Sequence, residues 1–395
     1  MAWRPAEPRI ANAVGRMRPN PDGSAAAKNG RAGELTVRGR RPTQRGVIGG
    51  RTRRTPTHFL HGRVMGVKNR LEKIYLERKA MDQEGGAVRV AAVQTLNKPA
   101  GASLEANLRT VLNGIAEAAE RGVMLVAFPE LCLTGYCGRS VRAISPEQLK
   151  EAEEHIAASC HRHGVAAIVG LPSTAEPAVT YNSAAVWGAD GMIVGRHHKL
   201  QLVPPDDWAT AGTDLSVFHV PLRGAFGRWT SVPLSIIICH DVRYPELCRL
   251  PVLAGSRLVV LLSCEQWHDD LPTIATREAD PWSEERLQRE IGAYRAQAQA
   301  RAVENRVFLL HANCGGDLTD LIGCSHGISK VISPTGCVLA EAPTWGAALV
   351  VADIVLSSAT ALYADKSLLP SYAFHRWWSS ALENVRHVGA VARPS

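Results

Sequence analysis

The stretch Val232-Pro233-Leu234-Ser235-Ile236-Ile237-Ile238-Cys239-His240-Asp241-Val242-Arg243-Tyr244-Pro245-Glu246-Leu247 joins an apolar, β-branched run to a thiol and then to a Pro-containing turn. A run of that kind without polar alternation fits a strand covered on both faces, as in the sheets of α/β proteins. The turn after it is expected to open a helix that continues through Leu253. Cys239 therefore stands at a strand-to-helix corner. At the carboxyl end of a strand, backbone amides of the turn and the helix start point into a crevice, which is where such proteins place ligands and reactive groups. A cysteine alone at such a place is most often a small buried hydrophobe, so its meaning depends on what surrounds it.

Two further apolar elements end in ionisable residues. Val123-Met124-Leu125-Val126-Ala127-Phe128-Pro129 runs into Glu130, and the apolar positions between Ala184 and Val194 lead to Gly195-Arg196-His197-His198-Lys199-Leu200. A carboxylate, an ammonium and a thiol thus terminate three strand-like segments. The remaining pattern alternates strands and helices. Strands are expected over 88–95, 165–171, 184–187, 192–196, 258–263, 307–312, 328–333 and 349–354. One helix is expected from Ser103 to Arg121 with Gly122 as its left-handed stop. Another starts in the capping box Ser145-Pro146-Glu147-Gln148 and ends near Gly164, and a third fills 283–304. This pattern predicts an α/β domain with helices outside and sheets inside.

Taken in order, Arg89-Val90-Ala91-Ala92-Val93-Gln94, Phe128-Pro129-Glu130, His198-Lys199-Leu200, Ile238-Cys239-His240-Asp241 and Ala300-Arg301-Ala302-Val303-Glu304-Asn305-Arg306-Val307-Phe308 resemble the motifs of the nitrilase superfamily. These are carbon–nitrogen hydrolases with a Glu-Lys-Cys triad, and the resemblance covers about residues 88–355. It implies a four-layer α-β-β-α sandwich, a catalytic triad of Glu130, Lys199 and Cys239, and no cofactor. It also implies a homodimer or larger assembly that uses the C-terminal region. The residues after the thiol look more like those of amidase and carbamoylase branches than of true nitrilases. A small linear amide is the first substrate class, an N-carbamoyl amine the second, and acyl transfer to an amine a further outcome.

The chemistry suits those residue types. An amide carbon is a poor electrophile, so the reaction needs an activated nucleophile, a hole for the oxyanion and a proton for the departing nitrogen. Only a thiolate attacks; a nearby cation lowers the thiol pKa and a carboxylate within reach can accept its proton. Lys199 and Glu130 fit those roles. His240 is a poor base for Cys239, because successive side chains in an extended segment point to opposite faces. With Tyr136 and Trp267 it is instead a candidate for the pocket wall. Family members carry a second glutamate after the lysine. Here the loop reads Pro204-Pro205-Asp206-Asp207-Trp208, so Asp206 or Asp207 is the candidate for orienting Lys199, with a solvated turn as the alternative. A protein that keeps the fold and only binds is the non-enzymatic alternative, and retention of all three triad residues speaks against it.

The 395-residue chain carries a net charge of +8, unevenly spread. Residues 1–87 hold 19 Lys and Arg against 7 Asp and Glu, and the remainder holds 26 against 30. The leader is rich in Arg, Gly and Pro, has little hydrophobic periodicity and is expected to be disordered. It reads as sequence upstream of the true start, near Met65 or Met81, ahead of a targeting segment or a nonspecific nucleic-acid contact. Residues 88–356 form the expected catalytic domain and 357–395 a C-terminal extension, whose Tyr372, Phe374, Trp377 and Trp378 suit packing on a neighbour. Residues 268–294 resemble an insertion, charged and suited to a solvated loop plus helix. Nine scattered cysteines argue for a reducing compartment, taken as cytoplasmic, and against a disulfide framework. No metal spacing, nucleotide fingerprint or 18-residue uncharged apolar segment occurs, so neither a metal, an organic cofactor nor a membrane span is implied.

Overall fold

Alternate residues of the same strands face two different cores. Val88, Val90 and Ala92 of β1 (Val88–Gln94) point into one cluster, while Ala91 and Val93 point into another. Leu125 and Ala127 of β2 (Leu125–Ala127) and Ala166 and Ile168 of β3 (Ala166–Glu176) follow the first group. Val126, Ala167 and Val169 follow the second. A strand that is apolar on both sides has to be sandwiched, because each face of the pleat needs its own cover.

The computed structural model of the chain describes residues 87–96, 103–136, 138–176, 179–224, 229–265, 284–316, 325 and 327–389. The first sheet joins β4 (Val179–Trp187), β5 (Ile193–His198) and β12 (Ala348–Ile354) to those three strands, in the order β12-β1-β2-β3-β4-β5. The second sheet holds β6 (Leu215–Arg223), β7 (Trp229–Ile238), β8 (Leu258–Ser263), β9 (Phe308–Asn313), β10 (Lys330–Ile332), β11 (Val338–Glu341) and β13 (Val385–Val388). Its order is β11-β10-β9-β8-β7-β6-β13. Side chains of the two sheets meet in the larger cluster, where Val90, Ile168 and Val186 share a core with Phe218, Ile236 and Leu310. On the outer face of the first sheet lie α1 (Leu104–Glu120), through Val111 and Ile115, and α3 (Pro146–His163), through Ile156 and Cys160. On the second sheet lie α4 (Pro245–Leu253) and α5 (Glu284–Asn305), through Cys248, Val252, Ala298 and Ala302. This is the expected α-β-β-α sandwich.

Local signals set the element ends. The Ser103 hydroxyl accepts from the Ala106 amide at the start of α1, and Gly122 turns the chain out at φ +68°. The Ser145 capping box forms in both directions, and Gly164 closes α3 at φ +65°. Strands β3 and β4 run longer than expected, and their antiparallel ladder continues outward through Ser173 opposite Tyr181, Thr174 opposite Thr180 and Glu176 opposite Val179. The extension also behaves differently from a free-standing appendage. Val385 to Val388 adds a parallel edge strand beside Leu215 to Phe218, and Trp378 of α7 (His375–Ala381) packs onto the main core; α2 (Gly138–Arg142) and α6 (Leu362–Lys366) are short connecting turns. Leader residues 1–86, Trp267 and the 268–283 part of the insertion lie outside the described residues. The rest of that insertion is the first half of α5.

Gly170 shows how closely the turn after β2 packs against β3 at the site end of the first sheet. A Cβ there would stand 2.1 Å from the Pro129 carbonyl oxygen and 2.8 Å from Glu130 Cα, both backbone atoms that no rotamer change can move. Gly170→Ala should therefore destabilise the protein by about 2–3 kcal/mol, read as a lowered urea midpoint. An unchanged midpoint would show that the strand and the Glu130 turn have room to separate.

Candidate active site

Glu130 leaves β2 through a tight turn in which the next residue, Leu131, is held at φ +48°. Cys239 leaves β7 in the same way, at φ +46°, as the first residue of a 3₁₀ turn over Cys239–Arg243. Left-handed backbone is unfavourable for residues with a Cβ, and it is retained where the surroundings demand a particular side-chain direction. Lys199 follows β5, and its amide donates to the Asn182 carbonyl at 2.8 Å, so it stays in register with β4. Strands β2 to β5 are neighbours in one sheet, and β7 lies between β8 and β6 in the other. The ends of both sheets thus bring residues more than a hundred positions apart to one place.

Lys199 and Glu130 have no exposed side-chain surface and meet directly, Nζ to Oε1 at 2.8 Å. The same ammonium lies 2.7 Å from Asp206 Oδ2. Asp206 is buried and Asp207 is exposed, so only the first of the two candidates reaches the lysine. Its shorter side chain is compensated by the backbone. The 3₁₀ turn Pro204–Asp206 folds inward, and the Val203 amide donates to Asp206 Oδ2 at 3.2 Å. Tyr136 belongs to this network as well, since its hydroxyl donates to Asp206 Oδ1 at 2.8 Å and its ring centre lies 5.6 Å from the ammonium.

Asn182, a polar residue with no exposed surface in β4, escaped the sequence reading. Its Nδ2 donates to Glu130 Oε1 at 2.8 Å and reaches Asp206 Oδ1 at 3.4 Å, bridging the two carboxylates. The available signal was an amide two residues before the apolar run Ala184 to Trp187, among the polar Thr180, Tyr181 and Ser183. Asp241 was also missed. It accepts from Ile238 at 3.1 Å, from Gln201 at 2.7 Å and from Leu200 at 3.4 Å, which staples the cysteine turn to the lysine loop. Burial pushes its carboxyl up to about 6, against the pull of those backbone donors.

Glu130 Oε1 is filled by Lys199 and Asn182, while Oε2 receives the Cys264 amide at 3.0 Å. Cys264 stands just past β8, and its amide also supports the Cys239 sulfur. Burial lifts the Cys239 thiol well above its ordinary range; the Glu130 charge adds to the rise, and Lys199 opposes it. The lowering by a nearby cation that the sequence suggested is present but does not win. Burial likewise works against the Lys199 ammonium, yet Glu130, Cys239 and Asp206 together hold it above the usual lysine value. The resting pair is therefore a neutral thiol beside a firmly charged ammonium. His240 is half-buried on the turn, with Nδ1 accepting from Arg243 Nε at 3.1 Å. Burial, then Arg243 and Lys199, lower its pKa.

Among the described residues no cluster of three or more His, Cys, Asp or Glu could hold a metal, and no helix is long and apolar enough to cross a membrane. The seven described cysteines are free thiols.

The chain that carries this site is matched by known proteins. Residues 89–364 match the family model for carbon-nitrogen hydrolases, and the chain belongs to that family. It is an enzyme of the class that cleaves carbon–nitrogen bonds, within the nitrilase superfamily. A 2-oxoglutaramate amidase of Bacillus subtilis is 26% identical over 220 residues, which are 55% of this chain and 73% of that protein. An omega-amidase of Xenopus tropicalis is 26% identical over 265 residues, 64% of this chain and 84% of its own length. A cysteine-to-alanine mutant of the Nesterenkonia AN1 amidase from the nitrilase superfamily superposes with a TM-score of 0.57 at 25% identity, covering 74% of this chain and 98% of that one.

Proposed function

We propose that this protein hydrolyses a small linear carboxamide through a thioester on Cys239 and releases ammonia. The observation that carries this reading is the buried Lys199 ammonium shared between Glu130 and Asp206 beside the Cys239 corner. In the first step the Cys239 proton passes to Glu130, whose Oε2 holds only one donor, as sulfur attacks the carbonyl carbon. The neutral resting thiol makes that transfer part of the attack. Lys199 and the His240 amide then face the oxyanion, a role in which one donor is worth about 10²–10³ in rate. As the tetrahedral intermediate collapses, the C–N bond breaks and Glu130 returns the proton to the nitrogen, which leaves as ammonia. Water enters next, Glu130 takes one of its protons, and the thioester opens to a carboxylic acid and the free thiol.

Three features support this reading: the amidase names of the relatives, the fit of one carboxylate to both proton transfers, and Asp206 and Asn182 holding that carboxylate and the ammonium in place. The same reading assigns assembly as a homodimer or larger, supported by the exposed aromatic rings of Tyr372, Phe374 and Trp377 on the extension. The test is to incubate the protein with a panel of carboxamides and N-carbamoyl amines, follow ammonia, and quench samples during turnover. The expected result is ammonia release together with an acyl mass added to the peptide that contains Cys239. Ammonia release that continues without any adduct, and in a Cys239→Ala protein, would refute the thioester route.

A further inference from the structure

We propose that Asp241 is a positioning residue for this reaction: its ionised carboxylate ties the Cys239 corner to the Lys199 loop, and taking up a proton loosens the tie and reversibly stops turnover in mild acid. The proposal rests on the amide-hydrolase reading and deepens it with a control point outside the triad.

Asp241 has no exposed surface, and its two oxygens hold main-chain donors from both sides of the crevice. Oδ2 accepts from the Ile238 amide at 3.1 Å, immediately before the nucleophile, and from the Leu200 amide at 3.4 Å, immediately after the residue that bears the ammonium. Oδ1 accepts from the Gln201 amide at 2.7 Å. Cys239 leaves the end of β7 in the second sheet and Lys199 the end of β5 in the first, so no shared sheet sets their separation. One carboxylate links them through three main-chain bonds. The corner it fastens is strained, with Cys239 at φ +46°, and such a turn keeps its direction only while its surroundings hold it. Bonds from N–H groups to an ionised carboxylate are about twice as strong as neutral ones. A proton on either oxygen removes the charge and sets a hydroxyl among the three donors.

Burial raises the Asp241 carboxyl to about 6, while the Gln201 and Ile238 amides, Lys199 and the Leu200 amide pull the other way. The group therefore changes charge just below neutral pH. Among the described residues, the titratable and charged groups around it come from the turn and three packed elements. His240 and Arg243 stand on its own turn, and Lys199 follows β5. Cys248 on α4 feels the Asp241 charge, but burial pushes its thiol up to about 12, so it stays neutral. On α5, Arg301 donates through Nε to the Val242 carbonyl at 2.8 Å and pairs with Glu304. Because the folded-state value of Asp241 lies above the ordinary 3.8, its protonation as the pH falls from about 6 toward 3.8 adds stability to the fold. Loss of turnover through this group is accordingly a local event and not a step of unfolding.

The test follows kcat and KM of the parent protein and of Asp241→Asn from pH 8 to pH 5, together with amide hydrogen exchange of peptides covering residues 199–203 and 238–243. In the parent protein kcat should fall about tenfold between pH 7 and pH 5 while KM changes by less than about threefold. It should recover on return to pH 8, with the far-ultraviolet dichroism unchanged throughout. Asp241→Asn keeps the shape and removes the charge. Its kcat at pH 8 should be about 100-fold below the parent, the cost of a misplacement of about 1 Å, and its profile should lack the limb near pH 6. At pH 7 both peptides should exchange faster in the variant, with α3 unchanged as the reference. The same two peptides should open together in the parent as the pH falls to 5, after correction for the intrinsic exchange rate, a readout that needs neither a variant nor turnover. A limb near pH 6 that survives in Asp241→Asn, a kcat in that variant within about twofold of the parent, acid loss accompanied by unfolding, or unchanged exchange in both peptides would each overturn the proposal. Absence of ammonia from every amide would count against the hydrolytic reading, and exchange in the two peptides would still decide whether Asp241 is the tie.

Discussion

Lys199→Met should remove turnover and about 3–5 kcal/mol of stability in the same protein, because the ammonium that holds the oxyanion also neutralises two buried carboxylates. Methionine has a similar stem and volume, so packing changes little and the loss reports charge. Glu130 Oε1 and Asp206 Oδ2 lie 2.8 and 2.7 Å from Nζ, and none of the three side chains reaches solvent. Without the cation, two carboxylates face each other in a low-dielectric space with Asn182 as their shared donor. The charged forms are then expensive, and the protein must take up protons or open. A triple replacement, Lys199→Met with Glu130→Gln and Asp206→Asn, removes all three charges at once. It should recover most of the lost stability while remaining inactive, since an isosteric neutral cluster avoids the desolvation of unpaired ions. Urea midpoints measure the first statement and ammonia release the second. A Lys199→Met protein as stable as the parent would mean that the carboxylates do not depend on Nζ. A triple variant no more stable than the single one would assign the loss to packing.

Sequence periodicity was informative wherever a signal is local. The Ser145 capping box, the Gly122 and Gly164 stops and the β-branched run before Cys239 are properties of a few adjacent residues, and each appears in the fold as expected. Strand β13 could not be anticipated, since a four-residue edge strand gains its register from Leu215 to Phe218, far away in the chain. The choice between Asp206 and Asp207 had the same character. Neighbouring residues of identical chemistry differ only in which way the 3₁₀ turn faces, and Lys199 decides that from outside the turn. Asn182 was opaque for a related reason. A polar residue in or just after an apolar strand has no meaning until the facing sheet end is known, and those sheet ends come from residues 130, 199, 239 and 264. Trp267, the third expected wall residue, lies outside the described residues.

Cys239→Ala and Cys239→Gly should both lose turnover by about 10⁴–10⁶, the range for removal of a nucleophile, yet the glycine protein should be the more stable of the two by about 1 kcal/mol. Ordinarily the order is reversed, because glycine gives up more chain entropy on folding than alanine. Position 239 differs in its backbone. At φ +46° an L-residue holds its Cβ against the following carbonyl oxygen, an arrangement unfavourable by about 1–2 kcal/mol that glycine avoids. The native chain retains this strain because the corner must direct a side chain at the end of β7 toward the crevice that Glu130 and Lys199 close, and a relaxed turn would aim it elsewhere. Asp241 helps impose the conformation, since it fastens the turn to Ile238 behind and to Gln201 across the crevice. Removal of the sulfur removes the reason for the strain but not the strain itself, which alanine still carries. Thermal unfolding resolves the pair, with Cys239→Gly melting about 2 °C above Cys239→Ala. The reverse order would show that the corner is relaxed and that the direction of the thiol owes nothing to stored backbone energy.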